Sequence, residues 1–175
     1  MCGWHRASEN NLEERVKTLS RKVRARATRE EATVACVFVH EDFDRPDGPD
    51  YVTAQNRVQA ALERNLGTAH YVLAVAEVES WMLLFPHALS AVTSAWKVPG
   101  KYRNKDTGRL ADPKRVLTSE VCKSGRRYRE SDAPVIFERV VASRSYDSPS
   151  GSNRSWRRLR DDAATCCASH LRTGR

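Results

Sequence analysis

Residues Thr33–Asp44 read TVACVFVHEDFD. Val34 to Val39 are β-branched, small or aromatic, which suits a buried strand, and Glu41, Asp42 and Asp44 follow where that strand would end. Open α/β sheets present acids to a divalent cation in this way, because ligands collect outside the carboxyl ends of the strands. The stretch sets two expectations: an α/β fold, and a metal site built on Asp42 and Asp44 with Glu41 beside them.

Downstream, Pro46, Gly48 and Pro49 make Arg45–Asp50 a turn. Tyr51–Leu66 then reads as a helix with Val52, Val58, Ala61, Leu62 and Leu66 on one stripe and Gly67 in C-cap position. A second strand, HYVLAVA, covers His70–Ala76. Strand, helix and strand make a βαβ unit, which implies parallel strands joined by a right-handed crossover. The second strand is tipped by Glu77 and Glu79, the candidate acid–base residues. Parallel neighbours share a carboxyl edge, so Asp42, Asp44 and Glu79 are expected to converge. The competing assignments are structural: Asp42 and Asp44 capping the turn, Glu77 and Glu79 stabilising a helix N-terminus.

Upstream, Ser8 is a candidate N-cap for a helix over 8–27, with Leu12, Val16, Leu19 and Val23 at helical spacing. Its other face is basic: Arg15, Lys17, Arg21, Lys22, Arg24 and Arg26. Beyond the second strand, Trp81, Leu84 and Phe85 belong to a helix starting near Val78, broken or restarted by Pro86. Residues 96–112 read as a long surface loop. Helices follow from Pro113, capped by Asp112 and carrying Val116, Leu117 and Val121, and from Asp132, with Val135, Ile136, Val140 and Val141. A polar linker over 143–153 leads to a last helix with Trp156 and Leu159.

One domain over 1–175 is expected: the 8–27 helix, a βαβ core over 32–95, basic loops and helices over 96–162, and a tail over 163–175. Two strands alone make a marginal sheet. Further strands are therefore expected from elsewhere: unrecognised here, upstream of Met1, or supplied by a protein partner or a second copy.

Composition is globular, 40% apolar and 30% charged, with no apolar run of membrane length. The N-terminus turns polar at once, so a cytoplasmic protein is expected. Five cysteines, Cys2, Cys36, Cys122, Cys166 and Cys167, form no C-x-x-C pair. That argues against a disulfide framework and a structural zinc site. Cys36 reads as core, and Cys166 and Cys167 as free thiols rather than metal ligands with His170. Net charge runs +4 over 1–30, −6 over 31–80, +7 over 81–130 and +3 over 131–175. Acidic centre and basic flanks suit carboxylates that hold Mg²⁺ beside cations that hold a phosphate backbone.

Other Asp-x-Asp chemistries fail on spelling. An EF-hand starting at Asp42 would need an acid or Asn where Pro46 stands and Glu where Thr53 stands. Pro46 also spoils a haloacid-dehalogenase-like motif, nothing else supports a nucleotide-sugar transferase, and glycine-rich phosphate loops and Ser-His-Asp spellings are absent. What fits is the order of several motifs. A strand with Asp42-x-Asp44, a helix, a strand with Glu77-x-Glu79-x-Trp81, Phe85-Pro86, RYRESDAP and Ser150-x-Ser152 before a last helix resembles the functionally uncharacterised TOPRIM-like proteins of bacteria, over about residues 32–162.

The resemblance implies a TOPRIM/Rossmann-like parallel-sheet core with flanking helices and Mg²⁺ (or Mn²⁺) held by Asp42 and Asp44. It also implies Glu79 as a third acid and nuclease-like phosphodiester chemistry on nucleic acid. In TOPRIM domains a glutamate on an earlier strand serves as acid or base; here no strand with Gly and Glu precedes the first helix, and Glu9 lies in a polar stretch. Lys101, Arg103, Lys105, Arg126, Arg127 and Arg129, on loops near the basic peak, are the candidate nucleic-acid contacts. The alternative is a non-catalytic basic module that binds nucleic acid or a protein partner and whose acids are structural.

Overall fold

Ser8 opens the first helix, α1 (Glu9–Arg29), by accepting the Asn11 N–H on its hydroxyl at 3.4 Å. The computed structural model describes residues 3–123 and 125–170, the last without its side chain. The chain is mixed α/β and divides into two compact units, Met1–Glu41 with Gly48–Leu73 and Arg158–Arg175, and Asp42–Asp47 with Ala74–Arg157. No described helix is long and apolar enough to cross a membrane.

The first unit packs α1 against α2 (Pro49–Asn65) through Leu12, Val16, Val58, Ala61 and Leu62, all with essentially no exposure. Pro49 at the first helical position starts α2, and Leu66 caps it. Strands β1 (Val37–Asp42) and β2 (Ala69–Ala74) form a parallel two-stranded sheet. Of the expected stripe on α2, Val58, Ala61, Leu62 and Leu66 are buried and Val52 is not, at 42% exposed; Tyr51, Gln55 and Gln59 widen the buried face. These three, four residues apart, serve alternate residues of β2. Gln59 Nε2 donates to Ala69 O (2.9 Å) and its Oε1 accepts from Tyr71 N (2.7 Å). Gln55 Nε2 donates to Tyr71 O (2.5 Å), and Tyr51 Oη to Leu73 O (2.9 Å).

Side chains of α2 thus take the place of a third strand along β2. The expectation that a partner or second copy completes the sheet is corrected on that side, because a strand there would compete with bonds already made. Gln59→Leu leaves a buried carbonyl and a buried N–H without partners. A loss of about 1–3 kcal/mol is expected for each such group in urea unfolding, against little change for the exposed Val52→Thr.

In the second unit the chain leaves both strands through left-handed residues, Asp44 (φ 58°) and Ala76 (φ 56°). Asp44 N donates to Ala76 O (2.8 Å) and Ala76 N to Arg45 O (2.7 Å), so the two exits are tied together. A single helical turn, α3 (Glu79–Met82), follows, and Pro86 starts α4 (Pro86–Val92). The supposed surface loop begins in the core: Trp96 and Val98 are buried, and Trp96 Nε1 donates to Arg126 O at 2.7 Å. Met82, Leu89, Leu117, Val121 and Ile136 share one buried apolar cluster with Trp96. That stretch also contains β3 (Lys105–Asp106), paired in parallel with β4 (Gly151–Ser152), two short strands without a hydrophobic period to betray them. Gly151, at φ 124°, is obligatory there: a Cβ would lie 2.3 Å from Lys105 O.

Asp112 caps α5 (Pro113–Val116), accepting from Arg115 N at 2.7 Å, and the chain continues as a π-turn over Leu117–Val121. In α6 (Ala133–Ala142), Ile136 and Val140 face inward, whereas Val135 and Val141 are exposed. Asp132 does not cap α6; its carboxylate turns back to Arg129 N (2.8 Å) and the Arg126 guanidinium. Asn153 caps α7 (Arg154–His170), accepting from Ser155 N and Trp156 N at 3.1 and 3.2 Å. Trp156 packs on Phe85, ring centroids 5.0 Å apart.

Two further expectations are corrected. The tail over 163–175 is helical as far as His170. That helix carries Cys166 to Cys36, and the two form a disulfide with Cα atoms 6.4 Å apart, a pairing across 130 residues that local cysteine spacing does not encode. Cys167 is an exposed thiol and Cys122 a buried one, whose burial pushes its pKa up to about 11. Cys2 and the side chain of His170 lie outside the described residues.

Candidate functional site

Adjacent residues of a strand face opposite ways, and the acids at the end of β1 are split accordingly. Glu41 turns into the first unit, where its carboxylate accepts from Trp4 N (2.7 and 2.9 Å) and from the Tyr71 hydroxyl and lies 3.5 Å from His5 Nδ1. Glu41 is a structural anchor there, and the expected grouping with Asp42 and Asp44 does not form.

Asp42 belongs to the second unit, where its Oδ1 accepts the Val78 N–H at 3.0 Å. Burial pushes its carboxyl up to about 6, and the charges of Glu79 and, more weakly, Asp44 add to the rise; Val78 N–H and Lys114 oppose it. Glu79 is 4% exposed and accepts from the Tyr128 hydroxyl at 3.0 Å. Glu77 is raised by burial and by Glu79, and its Oε2 is buried without a hydrogen-bond partner among the described residues. The tied strand exits thus bring Asp42, Glu77 and Glu79 within electrostatic reach of one another. Asp44 is exposed and reaches the group chiefly as a charge.

Two participants were not singled out in the sequence. Lys114, on α5, is held by Glu130 at 2.6 Å and adds its positive charge to the surroundings of Asp42, Glu77 and Glu79. Tyr128 is buried; burial and the neighbouring Glu79 charge keep its hydroxyl protonated, so it stands as a donor. Tyr128 sits inside RYRESDAP, a run already notable, but nothing in its spelling points to an acid 49 residues earlier.

All six candidate nucleic-acid contacts are exposed. Lys101 is paired with Glu120 (2.5 Å) and Arg126 with Asp132; the Arg126 guanidinium also lies 5.4 Å from the Trp96 ring centroid. Arg103 donates from Nε to Val98 O at 3.0 Å. Among the described residues Arg103, Lys105, Arg127 and Arg129 have no carboxylate partner.

The metal implied by the resemblance can be tested against these groups. No three His, Cys, Asp or Glu among the described residues form a group able to hold an ion by themselves. Mg²⁺ needs less: one or two carboxylates, with waters and substrate phosphate oxygens completing its shell. Hard oxygen donors close enough for the Glu79 charge to raise Asp42 and Glu77, one of them with an orphaned buried oxygen, meet that lesser demand. Compared with family models, with curated proteins and with solved structures, the chain matches none.

Proposed function

We propose that this chain is a TOPRIM-like domain whose second unit acts on the phosphodiester backbone of nucleic acid with Mg²⁺ or Mn²⁺. One observation carries the reading: Asp42, Glu77 and Glu79, from the ends of two parallel strands, share one electrostatic environment in which Asp42 titrates near 6. An enzyme has reason to keep such an arrangement, since like charges held together cost stability and shifted carboxyls collect at catalytic sites.

Asp42, with Glu79 or Glu77 as a second carboxylate, would hold the cation beside waters and phosphate oxygens. The chemistry such an ion supplies is neutralisation of phosphate charge and activation of a water. Asp42 accepts a proton near neutrality, Tyr128 fixes the orientation of Glu79, and Lys114 limits the repulsion among the acids. Arg103, Lys105, Arg127 and Arg129 supply exposed cations for flanking phosphates. The reading places the protein in the cytoplasm, where the Cys36–Cys166 bond would be open to reduction.

The test is metal-dependent stabilisation together with strand cleavage. Mg²⁺ at ~100 times its Kd should add about 2.7 kcal/mol of stability and support nicking of supercoiled plasmid. Both should vanish in Asp42→Asn with Glu79→Gln. The absence of a three-acid group among the described residues favours the alternative, a non-catalytic binding module; it holds if nucleic acid binds while metal neither stabilises the protein nor supports cleavage.

A further inference from the structure

Seven cations and no carboxylate occupy residues 15–29 of α1. Lys17 and Arg21, and Lys22 and Arg26, stand four apart, and Arg21 and Arg24 three apart, spacings at which like charges repel across a helix surface. Neutralisation is confined to the ends of this run. Glu14 takes Lys17 at 3.2 Å, and Glu30 takes Arg26 and Arg29 at 2.9 and 3.8 Å. In the middle, Arg21, Lys22 and Arg24 have no carboxylate partner among the described residues; Arg21 bonds Thr18 Oγ1 and Arg24 bonds Asn65 O. Lys17, Arg21, Arg24 and Arg64 of α2, with Glu14, line one cleft of about 390 Å³ in the first unit; Lys17 is paired with Glu14 and Arg64 with Glu13, so Arg21 and Arg24 are the cations this cleft offers a phosphate group.

We infer that this face of α1 binds the sugar-phosphate backbone of nucleic acid. Lys17, Arg21 and Arg24 share one side of the helix over about 10 Å, enough to follow about three phosphates of one strand, and Lys22 adds a cation on the other flank. Its cations are mostly arginine, whose planar fork suits phosphate oxygens. A membrane is disfavoured: Leu12 and Val16 are buried, and none of the exposed large apolar side chains lies on α1. An acidic protein surface is disfavoured by the same lack of an apolar centre for an interface. The inference rests on the proposed reading for its ligand class but not for the acid site, and it assigns the binding to a different unit from the catalysis.

The test is fluorescence anisotropy with the full chain and labelled duplex DNA, duplex RNA and single-stranded DNA, between about 50 and 200 mM salt. Arg21→Gln with Lys22→Gln and Arg24→Gln keeps good helix formers and should leave circular dichroism and the thermal midpoint unchanged. Affinity should fall at least tenfold and the salt slope by about 2 to 3, since each phosphate no longer neutralised lowers it by about 0.9. The three nucleic-acid arms distinguish the sources of the backbone. Lys105→Gln with Arg127→Gln and Arg129→Gln is the comparison. If that variant loses binding while the α1 variant keeps the wild-type slope, the inference is overturned and the proposed function stands. It is also overturned if the wild type binds none of the nucleic acids, or binds anionic vesicles instead. If the α1 variant loses binding while the wild type shows no metal-dependent cleavage, this inference survives and the catalytic reading fails.

Discussion

Asp42→Asn is expected to stabilise the protein at pH 7 while removing the metal-dependent cleavage proposed for it. In the folded protein the Asp42 carboxyl is raised from its ordinary 3.8 to about 6, by burial first and then by Glu79. A group raised on folding contributes stability that is fully present below its unfolded pKa and is lost as pH rises through the folded value. The window therefore runs from about pH 4 to about pH 6, and at pH 7 the fold carries a charge that burial and Glu79 both disfavour. The full shift corresponds to about 3 kcal/mol, and partial exposure reduces this to about 1–2 kcal/mol. Asparagine keeps an oxygen for the Val78 N–H and carries no charge to repel Glu79. Urea unfolding in EDTA should show the variant equal to wild type near pH 4 and more stable near pH 7, while plasmid nicking falls at least a hundredfold. A variant less stable at both pH values would make Asp42 a structural acceptor and remove the case for a functional acid.

Trp96→Ala should cost the second unit about 3–5 kcal/mol, a large part of the stability of an ordinary domain. Trp96 has no exposed surface, and its indole N–H holds the Arg126 carbonyl, so truncation leaves both a cavity and an orphaned acceptor. The damage should reach the acids. Tyr128 meets Trp96 edge-on, ring centroids 6.4 Å apart, and the same Tyr128 orients Glu79. Urea unfolding gives the first quantity, and near-ultraviolet circular dichroism of Trp96→Phe the second: phenylalanine keeps a ring for Tyr128 but loses the N–H, so it should cost about 1–2 kcal/mol and retain the aromatic signal. A Trp96→Ala variant within about 1 kcal/mol of wild type would contradict the buried cluster described for Met82, Leu89 and Ile136 with this ring.

Much of the second unit was illegible because its partners are distant in the chain and unremarkable in spelling. Asn153 receives Ser155 and Trp156 backbone N–H groups and gives its own amide to Ser80 and Thr107, at 3.0 and 3.2 Å. No periodicity announces such a node. Strands β3 and β4, two residues each, are too short to alternate visibly. In the first unit, the burial of Gln55 and Gln59 beside the apolar stripe of α2 runs against hydrophobicity.

What the sequence determined alone is local and repetitive. Helix α1 from its Ser8 cap, strands β1 and β2 with α2 between them, the restart at Pro86 and the Asp112–Pro113 start of α5 all follow from interactions a few residues long, and so does the clustering of acids at two strand ends. Which acids meet was decided by tertiary structure. Strand alternation sends Glu41 to Tyr71 and Asp42 to Val78, and two left-handed residues, Asp44 and Ala76, tie the strand exits so that Glu77 and Glu79 come near Asp42. Lys114 and Tyr128 then join from segments far along the chain. The physical reason is range: capping, turn chemistry and periodicity act within a helical turn, whereas burial and charge act through space between residues whose separation in sequence carries no signal.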